Sequence, residues 1–312
     1  MAVPKENSPK TTPEQACDLC GGVNHLLFAE KGRGSSALRT VICRACGLVH
    51  TNPRPSEQAN ADFYHKDYWG QYKSQSVPDE AFFRRRLPKI KPLLQLLRPH
   101  LRPGVKVLEV GCGVGALLWS IKSLVGTGTF IGVEPHDGHA KFAREVKGLD
   151  VRNALLEEVE TSLPRAHFDL VVMNHVLEHT VSPTQTLTTL KQLLRPGGLF
   201  AAEVPNIEAP GSRLSHFFHV AHHHNFSPHT LQRLAVKCGF RTRQVSELDG
   251  DLPRTRLLGI FENSTPDPDV ALHFIRDDAD ERATALRRYE RWYWLTGASL
   301  RKKITHWQRQ QA

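Results

Sequence analysis

The sequence predicts an α/β fold built on a mostly parallel sheet, and three stretches carry that expectation. Residues 105–110, Val-Lys-Val-Leu-Glu-Val, read as an apolar strand that runs into a glycine turn, Gly111-Cys-Gly-Val-Gly115. Leu117, Leu118, Ile121 and Leu124 follow at helical spacing, so the turn links a strand to a helix. Thr129–Glu134 and Phe168–Asn174 repeat the apolar strand with a polar end. Leu187, Leu190, Leu193 and Leu194 then form a helix face that stops at Arg195-Pro-Gly-Gly198, before the strand Leu199–Val204. Strands alternating with helices in this way bury a parallel sheet on both faces.

Glycines at 111, 113 and 115 let the backbone approach a ligand where any Cβ would collide, and the N–H groups of the helix start face it. This is a nucleotide-type cofactor site. The glycines alone leave two cofactors open, because Gly111, Gly113 and Ala116 also satisfy the looser dinucleotide pattern, with Glu134 at the distance of a ribose-binding acid. Glu109 tips the choice. A carboxylate two residues before the first glycine suits a cofactor end bearing an ammonium and a sulfonium, and would repel a pyrophosphate.

Taken in order, Val-Leu-Glu-Val-Gly-Cys-Gly (107–113), Glu134, Phe-Asp-Leu-Val-Val-Met-Asn (168–174), Val-Leu-Glu-His (176–179) and Leu-Arg-Pro-Gly-Gly (194–198) resemble the class I S-adenosylmethionine-dependent methyltransferases over residues 100–262. The resemblance implies a Rossmann-like sheet with helices on both faces. It also implies that Glu109, Gly111, Gly113 and Gly115 cradle the amino-acid end of the cofactor. Glu134 would accept from both ribose hydroxyls, and Asn174 and His175 would border the transferred methyl. Cys112 is expected to be a small filler in the turn.

Ahead of this region, Cys17-x-x-Cys20 and Cys43-x-x-Cys46 form two knuckles separated by 22 residues. Four thiolates at that spacing give a tetrahedral site whose usual occupant is zinc. Met1–Glu14 is polar and contains no apolar leader, so disulfides are not expected and a cytoplasmic location is. The plan that follows is a disordered N-terminus (1–16), a small zinc ribbon (17–55), a helical and aromatic connecting segment (56–99), the cofactor-binding domain (100–263) and a basic helical tail (264–312).

Cys46-Gly-Leu-Val-His-Thr-Asn-Pro-Arg-Pro55 leads into Asp62-Phe-Tyr-His-Lys-Asp-Tyr-Trp69. The arrangement is similar to a bacterial methyltransferase subgroup in which a four-cysteine ribbon precedes the catalytic domain, often associated with sugar methylation in polysaccharide, lipopolysaccharide or antibiotic pathways. That resemblance implies that Tyr64 and Tyr68 help to close the cofactor pocket. Packing of the linker against the core would explain both tyrosines equally well.

His216, His219, His222, His223, His224 and His229 fall within fourteen residues, just before a helix that Ser227 should cap and Pro228 should open. Similar sugar methyltransferases carry a histidine a few residues before this Phe-Ser, and His222 takes that position. The resemblance makes His222 the candidate general base, with His179 second. C-methylating relatives have a Glu-His pair there, whereas this chain has Ala221-His222, which counts against methylation of carbon. His175, Glu178, His179 and His222 partly resemble the magnesium site of some RNA and quinone O-methyltransferases. His175 replaces the first acid, however, and is a poor ligand for a hard cation. A second metal is therefore not expected; the loop histidines are read as solvated, and Glu178-His179 as packing at a helix start.

A net charge of +9 and a sequence pI near 9.4 favour an acidic partner: a nucleotide- or lipid-phosphate-linked sugar, an anionic membrane surface or RNA. Arg287, Arg288, Arg291, Arg301, Lys302 and Lys303 flank Trp292-Tyr-Trp-Leu295. This tail is expected to be a solvated helix that docks Trp292 and Leu295 on the domain, peripheral contact with the inner membrane surface being the other reading. The function expected is S-adenosylmethionine-dependent O-methylation of a sugar hydroxyl. An RNA base methyltransferase and a cofactor-binding protein without turnover are the alternatives. Met173-Asn-His-Val176 lacks the Asn/Asp-Pro-Pro-aromatic turn used on exocyclic base amines, which counts against the RNA reading but leaves ring-nitrogen methylation open; nucleic acid is not the expected partner, and the intact glycines and acids argue against a dead site.

Overall fold

The computed structural model describes residues 14–66, 78–248, 254–264 and 279–296. Three strands come first, β1 (His25–Lys31), β2 (Ala37–Cys43) and β3 (Val49–Thr51), paired antiparallel in sequence order. The helices α1 (Glu57–Lys66) and α2 (Glu80–Leu97) follow, and Asp79 caps α2 by accepting from the Phe82 N–H at 2.6 Å. Strand–helix units then alternate: β4 (Val105–Val110), α3 (Ala116–Val125), β5 (Gly128–Val133), α4 (Asp137–Glu145), β6 (Asp150–Arg152) and α5 (Leu156–Val159). The pattern continues through β7 (Phe168–Asn174), α6 (Pro183–Leu193) and β8 (Leu194–Pro205). The remaining elements are α7 (Leu214–Phe217), β9 (His224–Asn225), α8 (Pro228–Lys237), β10 (Phe240–Leu248), β11 (Arg256–Asn263) and α9 (Ala279–Leu295).

The large sheet has the order β10-β11-β8-β7-β4-β5-β6. Its strands from β8 to β6 are parallel, and β11 and β10 add antiparallel at one edge. Val107, Leu108, Val171 and Val172 are fully buried, as a sheet covered on both faces requires. The chain runs outward from β4 to β6 and then returns to β7 on the other side of β4. That reversal opens a crevice beyond the carboxyl ends of β4 and β7, where open α/β sheets bind their ligands.

The cysteine-bearing sheet is joined to this body at two places. β9 adds to β3, with Val49 opposite Asn225 and His50 opposite His224. Asp18, between the first two cysteines, accepts from Ser182 Oγ at 2.7 Å and from the Thr184 N–H at 2.9 Å, which satisfies the start of α6.

Several local expectations are corrected. His175–His179 does not enter a helix directly: only a 3-10 turn forms at Leu177–His179, and α6 waits until Pro183, capped by Ser182. Arg195-Pro-Gly-Gly198 lies inside β8, which absorbs it by a register shift opposite Phe168 and Leu170 with Gly197 at φ +71°. His219, His223 and His224 are buried, not solvated, because the loop that holds them lies between β3 and the turn after β7. The tail helix α9 packs through Ala279, Ala283 and Leu286, whereas Trp292 and Leu295 are 42% and 85% exposed and do not dock. Tyr68, most of the N-terminal segment and Arg301–Lys303 lie outside the described residues. Among the described residues no helix is long and apolar enough to cross a membrane.

Candidate active site

The end of β4 and the turn after it form one wall of a cavity of about 330 Å³. Gly111, Gly113 and Gly115 all have positive φ, at +70°, +55° and +76°. A Cβ on Gly111 would lie 2.3 Å from Val176 Cγ2, whereas one on Gly113 would meet nothing nearer than His139 Nδ1 at 4.0 Å. The first glycine is thus required by packing, and the second leaves backbone bare to the cleft. Glu109 is buried on β4, and its Oε2 accepts from the Leu118 N–H at 3.0 Å, an otherwise unpaired donor at the start of α3. Burial pushes its carboxyl up to about 8. At the end of β5, Glu134 accepts from the Gly113 N–H at 2.7 Å through Oε2 and from the His136 N–H at 2.9 Å through Oε1, bracing the turn from the other side.

The opposite wall comes from three places. Asn174 ends β7, His175, Glu178 and His179 follow it, His222 comes from the loop before β9, and Asn60 and Tyr64 come from α1. His179 Nδ1 lies 2.6 Å from the Ala221 carbonyl and donates to it, which leaves Nε2 as the basic nitrogen. That Nε2 lies 3.8 Å from Glu178 Oε1, and the same oxygen is 3.3 Å from His175 Nδ1. Burial opposes charge on His175, but its contacts with Glu178 and Glu203 outweigh that and raise it to about 9. His222 differs. Burial, followed by the imidazoles of His219, His179 and His175, holds it well below the usual histidine range.

The four predicted cysteines converge, with Cys17 Sγ 3.6 Å from Cys46 Sγ and Cys20 Sγ 3.5 Å from Cys43 Sγ. None is in a disulfide, and all four sulfurs lie within 4.8 Å of one another. Tetrahedral sulfurs about 2.3 Å from a zinc ion stand about 3.75 Å apart, so the donor set fits that ion. Glu178, His179 and His222 also offer ligand atoms within 4.8 Å of one another. His175 engages Oε1 of Glu178, and Oε2 is buried with no hydrogen-bond partner among the described residues.

Residues from the sequence-predicted set therefore fall on both walls of one cleft: Glu109, Gly111, Gly113 and Glu134 on one, Asn174, His175, His179, His222 and Tyr64 on the other; Gly115 does not line it, and a Cβ there would meet Leu149 Cδ1 at 2.4 Å. Asn60 was missed, and no local signal marks it. Glu203 was also missed, although an acid inside the apolar strand Leu199–Val204 is the same signal that drew attention to Glu109.

A glycine-turn cradle flanked by two buried acids at the switch point of a parallel sheet defines an enzyme with a nucleotide-type cofactor whose bound end is cationic. Residues 82–245, more than half of the chain, match a family described as a methyltransferase domain, and the chain belongs to that family. The matched region is a methyltransferase domain of the S-adenosylmethionine-dependent class. The ubiquinone biosynthesis O-methyltransferase of Dinoroseobacter shibae is 32% identical over 116 residues, which are 36% of this chain and 45% of that protein. The tRNA U34 carboxymethyltransferase of Edwardsiella ictaluri is 35% identical over 163 residues, 47% of this chain and 48% of that protein. The chain thus spans less than half the length of these curated relatives. A solved structure from Pyrococcus horikoshii shares the fold, with a TM-score of 0.50 at 17% identity over 65% of this chain and 99% of that one.

Two binding results follow. Glu134→Ala should weaken S-adenosylmethionine binding by on the order of a hundredfold, since each hydrogen bond to a charged group contributes about 1.5–3 kcal/mol. Calorimetry with the demethylated product checks this, and unchanged affinity would remove Glu134 from the site. At pH 7 the Glu109 carboxyl, at about 8, is mostly protonated. A cofactor ammonium beside it lowers that value, so binding should release most of one proton. The release should disappear above pH 9, and equal binding enthalpies in phosphate and Tris at pH 7 would contradict it.

Proposed function

We propose that the enzyme methylates a hydroxyl oxygen, that the acceptor is a sugar carrying a phosphate-linked group, and that the four cysteines hold a structural zinc. His179 carries the reading of hydroxyl chemistry. A hydroxyl is a weak nucleophile at neutral pH and needs a base within reach as the new bond forms. The Ala221 carbonyl fixes the Nδ1–H tautomer of His179, so Nε2 takes the acceptor proton, and the Glu178 carboxylate 3.8 Å away stabilises the imidazolium that results. His222, whose protonation is disfavoured by its surroundings, serves better as a neutral hydrogen-bonding group for the acceptor than as the base. The bound cofactor supplies an electrophilic methyl group; the protein aligns the acceptor oxygen with it and removes the proton.

The acceptor wall is dense in hydrogen-bonding groups, including Asn60, Tyr64, Glu178, His175 and Thr180. Such a wall suits a sugar, each of whose hydroxyls needs a partner when desolvated, better than the flat apolar face of a quinol. The net charge of +9 supports a phosphate-linked acceptor. Incubation with methyl-labelled cofactor and separate pools of nucleotide sugars, lipid-phosphate-linked glycans, quinols and total tRNA tests this. Label is expected in a sugar pool; incorporation only into quinol or tRNA would overturn the acceptor class.

A further inference from the structure

Both ring nitrogens of His175 face carboxylates, Nδ1 at 3.3 Å from Glu178 Oε1 and Nε2 at 3.4 Å from Glu203 Oε1. A neutral imidazole has one N–H and can donate to only one of them, whereas the imidazolium donates to both. The two carboxylates are each 1% exposed, and the His175 side chain is 41% exposed. Both anions are thus buried, and the cation is the exposed member of the group.

Glu178 lines the cleft, but Glu203 lies behind His175 on β8, opposite Asn174. Two further contacts fix it there. The Glu203 carbonyl accepts from the His175 N–H at 2.8 Å, holding His175 at φ +55°, a conformation that costs a residue with a Cβ about 1–3 kcal/mol. Arg256, on β11, donates from Nη1 to Glu203 Oε1 at 2.5 Å, which keeps the carboxylate ionised and in place. The charged and titratable groups facing His175 are thus Glu178 and His179 from the turn after β7, Glu203 from β8, Arg256 through Glu203, and His222 from the loop before β9.

We propose that Glu203, backed by Arg256, is a positioning residue for methyl transfer: it holds His175 doubly protonated and oriented at the acceptor pocket. The acceptor oxygen then meets a fixed positive charge as it gives up its proton, and negative charge growing on that oxygen is stabilised without rearrangement. An acceptor with an anionic group beside the reacting hydroxyl gains most from this arrangement. The proposal rests on the hydroxyl reading above, but the state of His175 can be measured with no acceptor present.

The test is an NMR titration of labelled histidine, with the His175 signal assigned from His175→Gln, in the wild type and in Glu203→Gln. The substitution should lower the proton affinity of His175 by about a hundredfold, through loss of one of its two flanking charges. With the acceptor found as above, kcat should fall about tenfold while cofactor affinity stays unchanged. The alkaline limb of the rate profile should move to lower pH with the His175 titration, and Glu203→Asp should restore part of the rate. If Glu203→Gln does not fold, Arg256→Gln is read in its place with the opposite sign expected: it removes a cation from the Glu203 oxygen that faces His175, so the proton affinity of His175 should rise. A His175 titration unaltered in the folded variant overturns the proposal. A shifted titration with an unaltered rate profile overturns its link to catalysis, and failure to find a sugar acceptor leaves the titration result standing.

Discussion

Replacing Cys43 with serine is expected to release one zinc ion per chain and to abolish turnover, although none of the four ribbon cysteines lines the cofactor cleft. Structural zinc contributes apparent free energies of about 10–16 kcal/mol in small zinc-binding folds, so a ribbon that loses a ligand loses much of its order. Cys17, Cys43 and Cys46 are packed with Leu19 and Leu48 in the same buried cluster as Leu187, Phe226 and Leu231. From there the disturbance has a short path to the acceptor wall. The Thr51 N–H donates to the His223 carbonyl at 2.9 Å, and Thr51 Oγ1 donates to the His222 carbonyl at 3.2 Å. The cap that Asp18 places on α6 begins only a few residues after His179. Metal analysis, turnover, and hydrogen exchange over residues 183–187 and 219–225 check the result. Wild-type protein without zinc, or a Cys43→Ser variant that keeps its turnover, would separate the ribbon from catalysis.

The cofactor wall was legible in the sequence because every requirement on it is local. An acid in an apolar strand, glycines at alternate positions and a helix at the right spacing are all contained in residues 105–124, and the backbone forms accordingly. Glu134 was legible for the same reason, at the end of the next strand. The acceptor wall is assembled from distant pieces, and there the sequence signals weaken. Histidines in a polar-looking loop read as solvated, yet His223 and His224 are buried because β3, more than 170 positions earlier, covers them. The turn after β7 reads as a helix start from its composition. His175 adopts a left-handed conformation and donates its N–H across the sheet to Glu203, so the helix cannot begin there. At α9 the amphipathic pattern places Ala279, Ala283 and Leu286 inward, but the aromatic end extends past the surface that would bury it.

The second large effect expected is a loss of about a hundredfold or more in kcat for His179→Ala, with cofactor affinity nearly unchanged, the usual size for removing a general base. That loss corresponds to about 2.7 kcal/mol or more of transition-state stabilisation. The sequence alone favours His222, which matches the position of a histidine in similar sugar methyltransferases. Charge distribution in the folded site argues for its neighbour. A base must be stabilised in its protonated form: His179 has the Glu178 carboxylate 3.8 Å from Nε2, whereas His222, although Glu178 lies within 4.8 Å of it too, has its ring centroid 3.7 Å from that of His219 and 4.9 Å from that of His179, and burial and these imidazoles disfavour its protonation. His222→Ala should therefore act mainly on the KM of the acceptor. Glu178→Gln should lower kcat in the same direction as His179→Ala, because it removes the charge that stabilises the protonated base. Pre-steady-state methyl transfer measured for the three variants decides the order. If His222→Ala loses the chemical step and His179→Ala keeps it, the proton goes to His222, and the carboxylate of Glu178 serves His175 alone.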